Sequence, residues 1–239
     1  MRFEAILFDC DGVLVDSEPI THGVLVQMLG ERGWRLSPEE CMRIFIGKAV
    51  RDEAARIERE TGQPLTQEWL QAFWARRNAA LARDLAAVPG APAAVRALHA
   101  ATGGRIACAS GADRGKVELQ LGKVGLLDCF AGRIFSGHEM PRSKPHPDVY
   151  LAAAAALGAD PRRCAVVEDT VTGVAAGAAA GATVFGYSPG GPGHSPAEAL
   201  RAAGAVTVFT DMALLPGLLQ EWSYPCSAQG RTDRAGGQA

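Results

Sequence analysis

The sequence predicts an α/β protein, in which a doubly wound parallel sheet carries one all-helical insertion after its first strand. Short apolar runs of strand length alternate with helix-like stretches along most of the chain. This alternation stops once, between about residues 17 and 88, where only helix-like stretches occur. Strands that alternate with helices are typical of a parallel sheet that is covered on both faces.

Six apolar runs are the predicted strands. Each is short, is composed largely of β-branched, aromatic and small apolar residues, and ends at a turn or a polar residue. In chain order they are residues 3–8, 105–109, 132–135, 164–167, 182–185 and 205–209. We therefore expect a Rossmann-like core built on these strands.

The insertion is predicted from the helix signals that it contains. Ser37-Pro38-Glu39-Glu40 combines an N-cap residue, a proline in the first turn and a glutamate at the third position. Val88-Pro89-Gly90-Ala91-Pro92 then breaks the helical pattern. We predict a core formed by residues 1–16 and 88–222, a helical cap of residues 17–87, and a polar, glycine-rich tail, residues 223–239.

Composition excludes several classes of function. The 239 residues include 24 basic and 26 acidic side chains, so no basic excess is available for nucleic acid or an anionic membrane surface. No apolar run reaches the roughly 18–20 residues of a membrane span, and the N-terminus lacks the plan of a signal peptide. The six cysteines are widely separated, which is typical of free thiols in a reducing compartment. We expect a cytoplasmic monomer without nucleic-acid or membrane partners.

Chemically capable residues follow four of the predicted strand regions. Because the carboxyl ends of parallel strands meet at one edge of a sheet, we expect these residues to converge there. They are Asp9 with Asp11, Ser110 with Gly111, Lys144, and Glu168 with Asp169.

Each of these motifs, taken alone, also has an ordinary structural explanation. The segment from Asp9 to Gly12 could be a tight turn, because Asp-Gly is a frequent turn pair. Ser110 could be only a helix N-cap, and Glu168-Asp169 could also cap a helix. Lys144 could be a solvated lysine like most others. A functional site therefore requires that these residues converge in the fold.

Taken in order, these residues resemble the four motifs of the haloacid dehalogenase superfamily, over nearly the whole chain from Phe3 to about Leu219. The insertion resembles the small α-helical cap of the branch that includes beta-phosphoglucomutase, phosphoglycolate phosphatase and bacterial sugar-phosphate phosphatases. The four motifs are Asp9-x-Asp11-Gly12-Val13-Leu14-x-Asp16-Ser17-Glu18, Ser110, Lys144-Pro145-x-Pro147-Asp148 and Glu168-Asp169-Thr170. The segments that are most similar to sugar-phosphate phosphatases of the 6-phosphogluconate type are the first motif, Phe135-Ser136-Gly137, Lys144-Pro145 and Cys164 to Asp169.

The resemblance implies a catalytic role for each motif. Asp9 would attack phosphorus and become an aspartyl phosphate, while Asp11 would act as the general acid and base. Ser110 and the amide of Gly111 would bind the phosphoryl oxygens, and Lys144 would offset the negative charge. The residue after the motif serine is usually Asn or a hydroxyl residue, so Gly111 leaves only the backbone donor at that position.

The resemblance also implies a cofactor, Mg²⁺. Its protein ligands would be the carboxylate of Asp9, the backbone carbonyl of Asp11, and the carboxylates of Asp169 and Glu168. Oxygen ligands of this kind are the ones that Mg²⁺ prefers.

Asp11 favours phosphate-ester chemistry, because dehalogenases and phosphonate-cleaving members of the superfamily lack this aspartate. Mutases place a cap histidine and a cap arginine near the active site, at positions that correspond to Thr21 and Val50. His22 and Arg51 lie one residue away, and a shift of one residue turns a helical side chain by about 100°. We therefore favour a phosphatase, with a phosphoglucomutase-type isomerase as the alternative. A phospho-accepting receiver domain is a remote alternative, since receivers are shorter and lack a helical insertion.

Substrate specificity is expected to come from the cap. Glu18 closes the first motif, and Lys48 or Arg51 could meet the carboxylate of a sugar acid. An exposed basic residue on a solvated helix explains Lys48 and Arg51 equally well. Arg76 and Arg77 are not favoured, because the two aromatic residues before them are typical of a cap core. The expected partner is a small phosphate ester, either a sugar phosphate or a phosphorylated sugar acid.

Overall fold

A computed structural model of the protein describes residues 2–45, 48–191 and 193–222. All six predicted strands are present, with ends that differ by a few residues from the sequence-based bounds. They are β1 (Ala5–Phe8), β2 (Ile106–Ser110), β3 (Ile134–Ser136), β4 (Cys164–Glu168), β5 (Thr183–Tyr187) and β6 (Thr207–Phe209). The predicted polar tail, residues 223–239, lies outside the described residues.

The helices fall into two groups, one before and one after the return of the chain to the sheet. The first group is α1 (Glu18–Gly30), α2 (Pro38–Phe45), α3 (Ala54–Thr61) and α4 (Gln67–Asp84). The second is α5 (Ala91–Ala101), α6 (Arg114–Lys123), α7 (Asp148–Ala156), α8 (Val171–Ala179), α9 (Ala197–Ala203) and α10 (Leu215–Glu221). Among the residues described, no helix combines the length and the apolar character that crossing a membrane requires.

The six strands form one parallel sheet in the order β3-β2-β1-β4-β5-β6. Along β1, Ile6 and Phe8 belong to the apolar core on one face of the sheet, and Ala5 and Leu7 belong to the core on the other. Each large apolar side chain that is buried in this way contributes about 1.5–3 kcal/mol. Covering both faces satisfies the requirement of an all-parallel sheet.

The direction of the chain changes at β1. From β1 the chain proceeds to β2 and β3 on one side of the sheet, then returns to β4 on the other side. Ligands of open α/β sheets bind in the crevice at such a switch point, outside the carboxyl ends of the strands. Asp9 and Asp169 are the first residues past β1 and β4, so both lie at this crevice.

Helices α1–α4 build a second, smaller apolar core of their own, around Leu25, Ile57 and Phe73. The described residues between 17 and 86 contain no strand. The predicted helix start is present, because the backbone N–H of Glu40 donates to Ser37 Oγ at 3.2 Å and the Glu40 carboxylate accepts from Ser37 N at 2.8 Å. The division of the chain into a core and a cap of residues 17–87 stays a prediction.

The two segments that connect this helical region to the sheet lie side by side. Val15 and Ala87 form an antiparallel bridge, and the N–H of Asp16 donates to the carbonyl of Ala86 at 3.1 Å. The chain therefore leaves the helical region beside the point at which it entered. This pairing lets β1 and β2 lie next to each other despite the long stretch of sequence between them.

Candidate active site

Three buried carboxylates meet at the carboxyl edge of the sheet. Asp9, Glu168 and Asp169 each offer an oxygen, and these oxygens lie within 4.8 Å of one another. The ammonium of Lys144 contacts two of the three groups, at 2.6 Å from Asp9 Oδ1 and 2.6 Å from Glu168 Oε1. The expected convergence of these four residues is therefore present in the structure.

The electrostatics of this cluster disfavour full ionisation. Burial raises the pKa of Asp9 to about 7, with Glu168 and Asp11 adding to the shift and Lys144 opposing it. Burial also raises the pKa of Asp169 well above its ordinary value, and the charges of Glu168 and Asp9 add to it. One lysine does not neutralise three crowded carboxylates, so an additional cation would favour their ionised forms.

Asp169 shows where such a cation fits. Its Oδ1 atom is buried and has no hydrogen-bond partner among the residues that the structure describes. A buried polar atom without a partner is costly, and an ion that it coordinates would satisfy it. With the oxygen of Asp9 close by, the donor set is that of a hard divalent cation such as Mg²⁺.

Glu168 differs from Asp169, because protein donors already occupy both of its oxygens. Oε1 accepts from Lys144 Nζ at 2.6 Å and from the hydroxyl of Tyr150 at 2.8 Å. Oε2 accepts from the backbone N–H of Asp169 at 3.1 Å, and from the N–H and hydroxyl of Thr170 at 3.2 and 3.0 Å. Glu168 thus orients Lys144, and its role as a metal ligand stays a prediction.

Tyr150 is a site residue that sequence reasoning missed. Its ring lies below Lys144 Nζ, 4.8 Å from the ring centroid, while its hydroxyl donates to Glu168. The ring thus contacts the ammonium directly, and the hydroxyl helps to fix the Glu168 carboxylate that binds the ammonium. The available signal was its position six residues after Lys144, on the first turns of α7.

Two glycines provide the space that the acidic pair occupies. A Cβ on Gly12 would overlap the carboxylate of Asp169, and a Cβ on Gly173 would overlap that of Glu168. Gly12 also has φ of +75°, a conformation that side-chain-bearing residues rarely adopt. The Asp-Gly pair after β1 is therefore a turn, as its composition allows, and the same turn admits Asp169 to the site.

Asp11 is held by donors from two different elements. Lys116 Nζ lies 2.8 and 2.9 Å from its two carboxylate oxygens, and Gln120 Nε2 lies 2.7 Å from Oδ1. The hydroxyl of Ser17 also donates to Oδ1. Burial alone would raise the pKa of Asp11, but Lys116, Ser17 and Gln120 lower it to about 2. The carboxylate is therefore ionised in this conformation.

Lys116 and Gln120 are further residues that the sequence did not reveal. They lie four residues apart on one face of α6, a spacing that is visible in the sequence. Their partner Asp11 is more than a hundred residues away, and only the pairing of β1 with β2 brings α6 beside it.

The segment that follows β2 is suited to binding an anion. Ser110 is the last, buried residue of β2, and its Oγ accepts from the N–H of Ala112 at 3.1 Å. Gly111 lies just before the N-terminus of α6, where backbone N–H groups favour negative charge. The N-cap of α6 is Asp113, whose side chain accepts from Lys116 N, so Ser110 is not the capping residue.

A cavity of about 690 Å³ lies between the sheet edge and the helical region, where α1, α2, α4 and residues 48–52 line it. Every predicted catalytic, phosphate-binding and metal-binding residue lines it. These are Asp9, Asp11, Ser110, Gly111, Lys144, Glu168 and Asp169.

The three predicted cap contacts also line the cavity, but their surroundings differ. Glu18 faces it from the start of α1. Lys48 pairs with Glu53 at 2.7 Å, so its charge is already engaged within the helical region. The guanidinium of Arg51 lies 3.3 Å from the ring nitrogens of His138, which places it at the boundary between the helical region and the core. Burial and Arg51 lower the pKa of His138.

Known proteins resemble this chain over most of its length. The model of the haloacid dehalogenase-like hydrolases matches residues 3–181. A 6-phosphogluconate phosphatase of Escherichia coli (strain K12) is 33% identical over 228 residues, which are 95% of this chain and 99% of that protein. Hexitol phosphatase B of the same organism is 32% identical over 179 residues, or 74% of this chain and 79% of that protein. The crystal structure of a HAD family hydrolase from Deinococcus radiodurans R1, with bound phosphate and sodium, has a TM-score of 0.77 and 40% identity, covering 92% of this chain and 96% of that one.

Proposed function

The chain belongs to the haloacid dehalogenase-like hydrolase family, and we propose that it is a Mg²⁺-dependent phosphatase that forms an aspartyl phosphate on Asp9. The observation that carries this proposal is the position of Asp9 at the switch point of the sheet. There it faces the cavity with Lys144 at 2.6 Å and Asp169 beside it, whose Oδ1 has no hydrogen-bond partner among the described residues. A nucleophile, a fixed positive charge and an oxygen ligand for a cation thus share one site.

The oxygens of Asp9 and Asp169 and the backbone carbonyl of Asp11 would hold the cation. When bound, it would keep both carboxylates ionised and reduce the repulsion between them and an incoming phosphate. Glu168 would act mainly through Lys144, whose ammonium it contacts at 2.6 Å.

In the first step, an oxygen of Asp9 attacks phosphorus while the bond from phosphorus to the leaving oxygen breaks. The electron pair of that bond goes to the leaving oxygen, which takes a proton from Asp11 and departs as an alcohol. Asp11 is ionised while both of its oxygens contact Lys116, so before this step one oxygen must leave Lys116 and take up a proton from solvent. Ser110 and the Gly111 amide would bind the non-transferred oxygens.

In the second step, water attacks phosphorus and the bond to Asp9 breaks, which releases inorganic phosphate. Asp11 accepts the proton of the attacking water, and the ionised state seen in the structure is the one this step requires. The step returns Asp9 to its carboxylate form.

The proposed substrate is a small sugar phosphate or phosphorylated sugar acid. The names of the relatives support this class, since one acts on 6-phosphogluconate and another on a hexitol phosphate. Glu18, Lys48 and Arg51 are the proposed cap contacts, and Arg51 is the best placed because no carboxylate within the described part of the chain pairs with it. We further propose that the enzyme works as a cytoplasmic monomer.

Phosphate release from a panel of sugar phosphates, sugar-acid phosphates and polyol phosphates tests this proposal. We expect Mg²⁺-dependent release with at least one of these substrates, and none with the Asp9→Asn variant. Release no greater than in that variant would contradict the proposal. Formation of an isomeric sugar phosphate without free phosphate would instead favour the mutase alternative.

A further inference from the structure

The first turn of α6 joins two parts of the proposed site. It follows the phosphate-side segment of Ser110 and Gly111, and it carries Lys116, whose ammonium holds Asp11. Lys116 is 7% exposed, and its own backbone N–H donates to Asp113 Oδ1 at 2.9 Å. The contact of Lys116 with Asp11 therefore depends on where this turn lies.

The turn is held in place by a residue of the helical region. Arg77, on α4, is 8% exposed and places Nη2 3.2 Å from Asp113 Oδ2, the second oxygen of the carboxylate that caps α6. Asn78 Oδ1 accepts from the same guanidinium at 2.9 and 3.0 Å, which restricts its orientation. One carboxylate thus joins α4 to the backbone of Lys116.

We infer that Arg77, Asp113 and Lys116 are positioning residues for Asp11, so that contact between α4 and α6 sets the place of the general acid and base. This inference rests on the role proposed for Asp11. It adds that the helical region supports the chemistry directly, besides any contact that it makes with the substrate.

The two cations of this arrangement are almost fully buried, whereas the Asp113 carboxylate between them is 43% exposed. Water therefore screens the Arg77–Asp113 pair in part, and its main effect is on the position of the turn and not on stability. Catalytic geometry is also sensitive, because a displacement of about 1 Å can lower a rate about 10²-fold. Loss of the Arg77 contact would free the Asp113 carboxylate to move, and with it the turn that carries Lys116.

Two different roles for Arg77 give different results with small substrates. A residue that only binds the leaving group would matter for substrates large enough to reach it. A positioning residue would matter for every substrate, including phenyl phosphate, whose leaving group is small.

The test measures kcat and KM of the full chain with phenyl phosphate and Mg²⁺, for Arg77→Met, Asp113→Asn, Lys116→Met and the Arg77→Met/Lys116→Met double variant. We expect each single change to lower kcat about tenfold or more, with KM changed less than about threefold. The double variant should lose no more than the worse single variant, because all three residues act on one group. Asp113→Asn is informative because Asn caps a helix as well as Asp but lacks the charge that Arg77 needs.

Arg76→Met is the matched control. Arg76 precedes Arg77 on α4 but is exposed and pairs with Glu31 at 2.5 Å, so its loss should leave kcat unchanged. If Arg77→Met unfolds, Arg77→Lys keeps the charge and should retain most of the wild-type kcat. A melting curve for each variant shows whether it is folded under the assay conditions.

Two results would overturn the inference while the proposed function stands. The first is an unchanged kcat for phenyl phosphate in Arg77→Met or Lys116→Met. The second is independent, multiplicative losses in the double variant. A wild-type protein that releases no more phosphate than Asp9→Asn would contradict the proposed function itself, and the inference with it.

Discussion

The carboxylate of Asp169 lies directly against Gly12, in the space that a side chain on residue 12 would occupy. Gly12 belongs to the turn after β1, and Asp169 follows β4, so the contact closes the crevice between these two strands. A positive φ and this close approach both require glycine at position 12.

Gly12→Ala should therefore remove activity. A Cβ there would displace Asp169, and a non-glycine residue in this conformation costs about 1–2 kcal/mol. We expect kcat to fall at least about 10²-fold. Gly23→Ala is the control, since Gly23 lies within α1 and a Cβ there meets nothing within 4 Å. It should leave kcat unchanged and stabilise the protein by up to about 1 kcal/mol in urea unfolding. Full Mg²⁺-dependent activity in Gly12→Ala would contradict this account.

The raised pKa of Asp9 predicts how stability depends on pH without metal. The pKa is 3.8 in its ordinary state and about 7 in the folded protein, so between these values the folded state binds more protons than the unfolded state. Stability should therefore fall as pH rises from about 4 to about 7. Asp9→Asn cannot ionise, so its melting temperature should exceed that of the wild type by an amount that grows across this range.

Asp11 does not interfere with this measurement. Its pKa is lowered to about 2, so its contribution to stability is lost only as pH falls below about 4. Added Mg²⁺ should reduce the difference between Asp9→Asn and the wild type, because a bound cation favours the ionised carboxylate. A constant difference from about pH 5 to about pH 7.5 in chelator would show that Asp9 is not buried as the structure has it.

Asp169 and Glu168 should differ in how much each contributes to Mg²⁺ binding. Asp169→Asn is expected to remove the rise in melting temperature that Mg²⁺ causes, because Asp169 Oδ1 is the oxygen of the pair that no group in the described part of the chain contacts by a hydrogen bond. Glu168→Gln should keep a measurable rise but lower kcat, because it weakens the hold on Lys144. Equal loss of the Mg²⁺ effect in both variants would make Glu168 a direct ligand.

Tyr150→Phe should destabilise the protein without removing activity. The change deletes the hydroxyl that donates to Glu168 at 2.8 Å, and a hydrogen bond to a charged group contributes about 1.5–3 kcal/mol. Urea unfolding measures this loss. Tyr187→Phe serves as the comparison, since within the described residues the Tyr187 hydroxyl has no hydrogen-bond partner, and it should cost less. The prediction is wrong if the two variants unfold at the same urea concentration.

Asp11→Asn should slow release of phosphate more than it slows phosphorylation of Asp9. The amide can still accept from Lys116 and Gln120, so the fold is preserved, but it cannot take a proton from water. Acid quenching after mixing with substrate should trap an aspartyl phosphate that is absent from Asp9→Asn. Undiminished steady-state turnover would remove Asp11 from the acid and base role.

The sheet and its acidic edge could be predicted from the sequence because both depend on local patterns. An apolar run ending in a polar residue marks the end of a strand, and this placed Asp9, Ser110 and Asp169 correctly at one edge. The direction in which the Lys48 side chain points was harder to predict, because Lys48 forms an ion pair with Glu53, five residues away.

The contacts that support the site could not be predicted in this way. The pairing of Lys116 with Asp11 and of Arg77 with Asp113 joins elements that only the tertiary structure brings together. Neither the periodicity of a helix nor the composition of a strand contains that information. Arg77 follows Arg76 in the sequence, and the two arginines differ only in that Arg77 is buried and Arg76 is exposed.

The bridge between Val15 and Ala87 has a consequence for how such a molecule can change over evolution. Paired residues of an antiparallel ribbon are only about 5 Å apart, a gap that a tight turn can close. The helical region between these two residues can therefore change in length or structure without moving β1 away from β2. A different helical region would alter which substrates fit the cavity, while the residues at the carboxyl edge of the sheet would keep their places.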